Sequence, residues 1–101
     1  MKSEEAYTAS ERTESIEVVD VVPVLLRIRG YRFFFFSMEA REPPHIHVAH
    51  AGRYAKYWLE PVSLASNRGF RSHELTVIGR LVSENRDYFL ERWDAHFGQN
   101  Q

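Results

Sequence analysis

The 101-residue sequence contains no cysteine, which excludes disulfide stapling and thiolate metal centres and fits a reducing, cytoplasmic compartment. It has no apolar run approaching the ~20 residues of a membrane-spanning helix, so no membrane partner is expected. The first ten residues are polar and acidic rather than basic and then apolar, and no secretory signal is expected. Glycine and proline are sparse, at five and four, so each is informative as punctuation. Charge of one sign is lacking too, since 13 Lys/Arg against 14 Asp/Glu leave a net −1. There is no internal repeat and no low-complexity tract. What remains is the composition of one small soluble domain, 44% hydrophobic and 27% charged, with seven Phe, five Tyr and two Trp.

The small net charge conceals an asymmetry. Residues 1–20 carry six acids against Lys2 and Arg12, a balance of −4, and residues 21–101 carry eleven Lys/Arg against eight acids, a balance of +3. A mildly basic body could approach a polyanion while an acidic leader competes for the same surface. Equally, such a charge run often does no more than solvate. The expected organisation is an acidic leader or extra edge strand over residues 1–21, where Ile16 to Val22 is β-branched, and a single α+β domain over 22–101.

Val24–Ile28 and Tyr31–Ser37 read as strands around an Arg29-Gly30 turn. Four consecutive Phe, residues 33–36, cannot alternate between core and solvent. They imply a central strand covered on both faces, or an exposed pair of rings facing a partner. Met38–Glu42 is a charged connection, and Pro43-Pro44 fixes an extended approach to His45-Ile46-His47-Val48. Alternation puts His45 and His47 on one face, about 7 Å apart from strand rise, with Ile46 and Val48 on the other. The pattern suggests imidazoles out and aliphatics in.

A hairpin around Ala51-Gly52 follows. A two-residue loop sets His47 opposite Lys56 and His45 opposite Trp58. A three-residue loop, His50-Ala51-Gly52, puts Arg53 and Tyr57 on the histidine face and better suits the turn chemistry, because alanine disfavours positive φ. Either register places one cation beside the histidines. Glu60-Pro61 ends the strand, and Val62–Phe70 is a loop or short edge strand turning at Asn67-Arg68-Gly69. Ser72 is a plausible N-cap for a long helix with Glu74 in its first turn. Leu75, Ile78, Val82, Phe89 and Trp93 make an apolar stripe that Gly98 terminates. Arg80, Arg86 and Arg92 fall on its polar side, where exposed ion pairs contribute little. The expected architecture is an antiparallel meander of four or five strands packed against one long C-terminal helix.

Two histidines can divide the roles of general base and general acid near neutral pH. Metal-independent RNA cleavage by 2′-hydroxyl attack needs such a pair and a cation for the phosphorane charge. His45, His47, Lys56, Arg68 and His73 are the catalytic candidates, His73 because it opens the helix, where the dipole favours an anion. Pro44, Arg53, Trp58 and Arg71 are the binding candidates. Tyr31, Tyr54, Tyr57 and Trp58 among Arg32, Arg53 and Lys56 could stack single-stranded RNA, or simply form half-buried sheet surface. The histidines themselves could equally pack beside Trp58 or Tyr54. As a zinc site the pair lacks a third ligand, which His50, His73, Glu42 or Glu60 could supply only if folding brings one in. A metal-binding domain is therefore a third reading that the missing ligand counts against, and no metal and no cofactor is expected.

From about Val22 to Gly98 the chain resembles a small bacterial family known as domain of unknown function 4160. The matching stretches are Pro23-Val24-Leu25-Leu26-Arg27-Ile28, Gly30-Tyr31-Arg32-Phe33-Phe34-Phe35, Arg41-Glu42-Pro43-Pro44-His45-Ile46-His47-Val48, Ala55-Lys56-Tyr57-Trp58-Leu59-Glu60-Pro61, Asn67-Arg68-Gly69-Phe70 and Trp93-Asp94-Ala95-His96-Phe97-Gly98. The resemblance implies the toxin half of a two-gene module, beside a small partner carrying a helix-turn-helix or another uncharacterised domain. It carries over only Pro44, His45, His47 and Lys56 as motif positions.

The resulting expectation is a cytoplasmic toxin of a bacterial type II toxin–antitoxin module that acts on RNA by metal-independent, histidine-mediated phosphodiester chemistry. The alternative is a non-enzymatic partner-binding or regulatory subunit of such a module. The partners implied are a cognate antitoxin protein and RNA, and an exposed edge strand would suit a homodimer.

Overall fold

Strand-forming segments and tight turns alternate through most of the residues described by the computed structural model, which are 24–36 and 41–98. The expectations for residues 1–21 and for the connection around Met38 lie outside them. Five strands, β1 (Leu26–Ile28), β2 (Tyr31–Phe34), β3 (His45–His50), β4 (Arg53–Leu59) and β5 (Val62–Arg68), form one antiparallel sheet in sequence order. Helices α1 (Ser72–Glu84) and α2 (Arg86–Phe97) follow. The α+β meander is as the sequence suggests, and Val62–Phe70 supplies its fifth, edge strand. β3, not the phenylalanine strand, lies at the centre.

Two hairpins close on pairs of residues in the left-handed region: Arg29 (φ 54°) with Gly30 (φ 85°), and Ala51 (φ 50°) with Gly52 (φ 79°). These turns carry the twist that antiparallel neighbours need. The second corrects the three-residue loop that the sequence favours, because His47 faces Lys56 and His45 faces Trp58. The reason is a balance of energies. Positive φ costs alanine roughly 1–2 kcal/mol, whereas a one-residue slip would turn Ala55, Tyr57 and Leu59 out of the core, at about 1.5–3 kcal/mol for each large side chain. At Gly30 a side chain is excluded on a second ground, since a Cβ would lie 2.9 Å from the His50 ring.

The phenylalanine run resolves by alternation. Phe33 and Phe35 are buried with Ile46, Val48, Ala55 and Tyr57 beneath Ile78, Val82, Phe89 and Trp93 of the helices, while Phe34 and Phe36 are half-buried and lie against His47. Fully burying each core ring is worth about 1.5–3 kcal/mol. Tyr57 ties the layers together, its hydroxyl donating to the Leu75 carbonyl at 2.9 Å. Opposite β5 a register shift at Lys56/Tyr57 leaves Ala65 as the extra residue.

The single long helix of the sequence reading is two helices. The apolar stripe does continue, with Ile78 and Val82 buried on α1 and Phe89 and Trp93 on α2. At Asn85 (φ −112°, ψ 14°) the backbone leaves the helical region, and the Asn85 side-chain amide donates to the Leu81 carbonyl at 2.8 Å, a local bond that competes with helix propagation. At the other end Arg71, not Ser72, is the N-cap. Its backbone N–H donates to the Glu74 carboxylate at 3.0 Å, half of a capping box.

Candidate functional site

The prolines set the histidines in place. Pro44 extends the ladder, its carbonyl accepting from the Leu59 N–H at 3.0 Å. The Pro43 carbonyl accepts from His45 Nδ1–H at 2.9 Å. A carbonyl can only accept, so His45 in its neutral form has its proton on Nδ1 and its lone pair on Nε2. Alternation along β3 then stands His47 beside it, with ring centroids 4.9 Å apart and planes at 89°.

Both rings are interior. His45 is 0% and His47 2% exposed, which corrects the expectation of outward-facing imidazoles. The physical reason is aromatic cover from neighbouring strands and α2. His47 is stacked between Phe34 and Tyr54, each with its ring centroid 5.6 Å away, and meets Phe36 edge-to-face with centroids 4.4 Å apart. His45 meets Trp58 at 5.7 Å and Trp93 at 5.0 Å. The Tyr54 hydroxyl lies 2.6 Å from His47 Nδ1. When the hydroxyl donates, His47 holds its proton on Nε2, and the two histidines are then opposite tautomers.

Lys56 stands opposite His47 as the two-residue loop requires. Its ammonium is held by Glu42 Oε1 at 2.5 Å and lies 4.6 Å from the centre of the Trp58 ring. The same Glu42 oxygen is 3.8 Å from His45 Nδ1. Glu42, Lys56, Trp58, His45, His47 and Tyr54 therefore form one continuous group. Glu42 and Tyr54 were not among the catalytic and binding candidates drawn from the sequence, although Tyr54 was a candidate stacking ring. Glu42 could have been found from its place in the Arg-Glu-Pro-Pro-His run, and the contact of Tyr54 with His47 needed the register as well.

The other candidates separate. Arg68 sits at the end of β5 opposite Tyr54, on the histidine face and two strands from the pair. Arg53 pairs with His50 on the opposite, helix-bearing face, and its guanidinium lies 3.2 Å from Glu74 and 5.5 Å from the Phe70 ring centre. His73 and Arg71 are exposed at the start of α1 beside Glu74, on that same side. The backbone N–H of Arg71 holds the Glu74 carboxyl below the usual carboxylate range, with Arg53, His73 and His50 adding to the effect against some desolvation. Arg86 is not a free surface cation either, because its Nε donates to the Leu59 carbonyl at 2.7 Å and so pins the end of β4 to α2.

Among the described residues, no three His, Asp or Glu are grouped to hold a metal ion, and no helix is long and apolar enough to cross a membrane. No curated protein and no solved structure matches the chain. The model of the family described as Domain of unknown function (DUF4160) matches residues 30–94. With well over half of its length covered, from the first turn into α2, the chain belongs to that family.

Proposed function

We propose that this chain is the toxin component of a bacterial type II toxin–antitoxin module and that it acts on RNA through the sheet face that carries His45 and His47. The observation that supports this reading is the charge of the sheet. The five strands hold Arg27, Arg32, Arg53, Lys56 and Arg68 and not one Asp or Glu. All of these except Arg53 share the histidine face by strand pairing. A surface of that composition attracts a phosphate backbone. The chemistry available is 2′-hydroxyl attack. His45 and His47 would divide the roles of base for the hydroxyl proton and acid for the departing 5′-oxygen, and the products would be a 2′,3′-cyclic phosphate and a free 5′-hydroxyl.

Burial of both imidazoles favours a second reading. Cleavage requires the aromatic cover to open, whereas binding does not, so a non-enzymatic subunit of the same kind of module would use this face without moving it. Inducible expression of the wild type and of His45→Ala/His47→Ala in a bacterial host, scored for growth and RNA integrity, separates the two. Growth arrest with RNA cut only by the wild type is the expected result, with the variant confirmed as folded. Arrest by both proteins with intact RNA would assign the non-enzymatic role, and harmless wild-type protein would refute the toxin reading.

A further inference from the structure

The register of the sheet brings together three arginines that are far apart in sequence. Arg27 is directly opposite Arg32, Arg32 opposite Ala49, Ala49 opposite Tyr54, and Tyr54 opposite Arg68. These five residues form one straight row across all five strands, about 19 Å long from the usual strand spacing. Directly opposed residues share a face, so all three guanidiniums lie on the histidine side. Each arginine is exposed, and none forms an ion pair among the described residues, where the acids Glu42, Glu60, Glu74 and Asp87 are engaged elsewhere.

Among the described residues this arrangement is unfavourable. Like charges directly opposite one another on neighbouring strands repel, and an acid at either Arg27 or Arg32 would relieve the repulsion. An anion bound between them would do the same. Ala49 at the centre of the row is small and half-buried, so a chain crossing the sheet meets no bulky side chain on β3.

We propose that the Arg27–Arg32–Ala49–Tyr54–Arg68 row is a track for the phosphate backbone of single-stranded RNA, crossing the strands at the turn end of the sheet. The inference rests on the RNA reading above and names the path that the RNA takes. One line of guanidiniums suits one backbone. The two backbones of a duplex would need a second line, and the remaining cation of this face, Lys56, is already held by Glu42. Arginine suits this role because its planar fork binds phosphate oxygens in pairs. The track runs beside the histidine pair rather than over it, so binding does not depend on opening the aromatic cover.

The test is fluorescence anisotropy of a labelled single-stranded oligoribonucleotide with the full chain, over a range of salt concentrations. Each phosphate contact contributes about 0.7 to the slope of log K against log salt for single strands. Arg27→Gln/Arg32→Gln/Arg68→Gln is therefore expected to lower the slope by about 2 and to weaken binding roughly a hundredfold near 0.1 M salt. The triple Arg→Lys variant should retain most of the slope. Arg68→Gln alone, on an edge strand, should lower it by about 0.7 and serves if the triple variant does not fold. If the wild type binds RNA and the glutamine variants bind equally well with the same slope, the track is wrong and the RNA reading stands. Absence of wild-type binding overturns both. Equal binding of a duplex, or displacement of the oligonucleotide by an equal charge concentration of polyglutamate, overturns the choice of single-stranded RNA.

Discussion

Replacing His47 with alanine is expected to destabilise the fold substantially, although the residue type suggests a functional position. The imidazole is 2% exposed and has aromatic rings on both faces and one edge. Its removal opens a cavity of about ring size and deprives the Tyr54 hydroxyl of its 2.6 Å contact. Large-to-small core substitutions of this kind cost about 2–4 kcal/mol. For a domain of this size each kcal/mol lowers Tm by about 4–8 °C, so a fall of roughly 10–30 °C is expected in a circular dichroism melt. His47→Phe keeps a ring between Phe34 and Tyr54 and should recover much of the loss. If His47→Ala melted within about 3 °C of the wild type, the imidazole would not be a packing element and the account of its burial would be wrong. Loss of toxicity in this variant is therefore informative only beside a measured folded fraction.

Two further outcomes depend on pH. Burial raises the Tyr57 hydroxyl pKa above its ordinary value, so the folded state favours the neutral phenol, and this contribution is lost as pH rises from about 10 through the folded value. Tyr57→Phe should flatten the alkaline limb of a stability-versus-pH curve while lowering stability at neutral pH by about 1 kcal/mol through loss of the bond to Leu75. An unchanged alkaline limb would contradict this. Glu74 is the opposite case, since its carboxyl is held low, first by the Arg71 N–H. Its contribution is present above the ordinary carboxylate pKa and is lost as pH falls through the folded value. Denaturant titrations of Glu74→Gln between pH 2 and 7 should show a shallower acid limb than the wild type, and identical limbs would refute the cap.

Much of the fold was legible because it is local. Arg29-Gly30 and Glu60-Pro61 mark real turns, whereas of Asn67-Arg68-Gly69 only Gly69 lies beyond β5, and the stripe from Ile78 to Trp93 is the helical half of the core. The loop length at Ala51-Gly52 was not legible, because the local preference of alanine opposes the burial of Ala55, Tyr57 and Leu59 on the core face of β4. The break at Asn85 was hidden by a stripe that continues across it. Burial of the histidines depends on what covers the second face of β3, and a single strand does not carry that information. The four Phe in a row did carry a trace of it, since alternation must put two of them on the histidine side. The arginine row is further still from the sequence, because it requires all four strand registers at once.

Ultraviolet cross-linking of the full chain to RNA in induced bacterial cells, with the linked peptides identified by mass spectrometry, tests the central claim most directly. Cross-links concentrated in β2, β4 and β5, around Phe34, Tyr54 and Arg68, are the predicted result, because Tyr54 and Arg68 stand in the row and Phe34 is two residues along β2 from Arg32 on the same face. Cross-links confined to α1 and α2, or none above background, would contradict the assignment of that face to RNA.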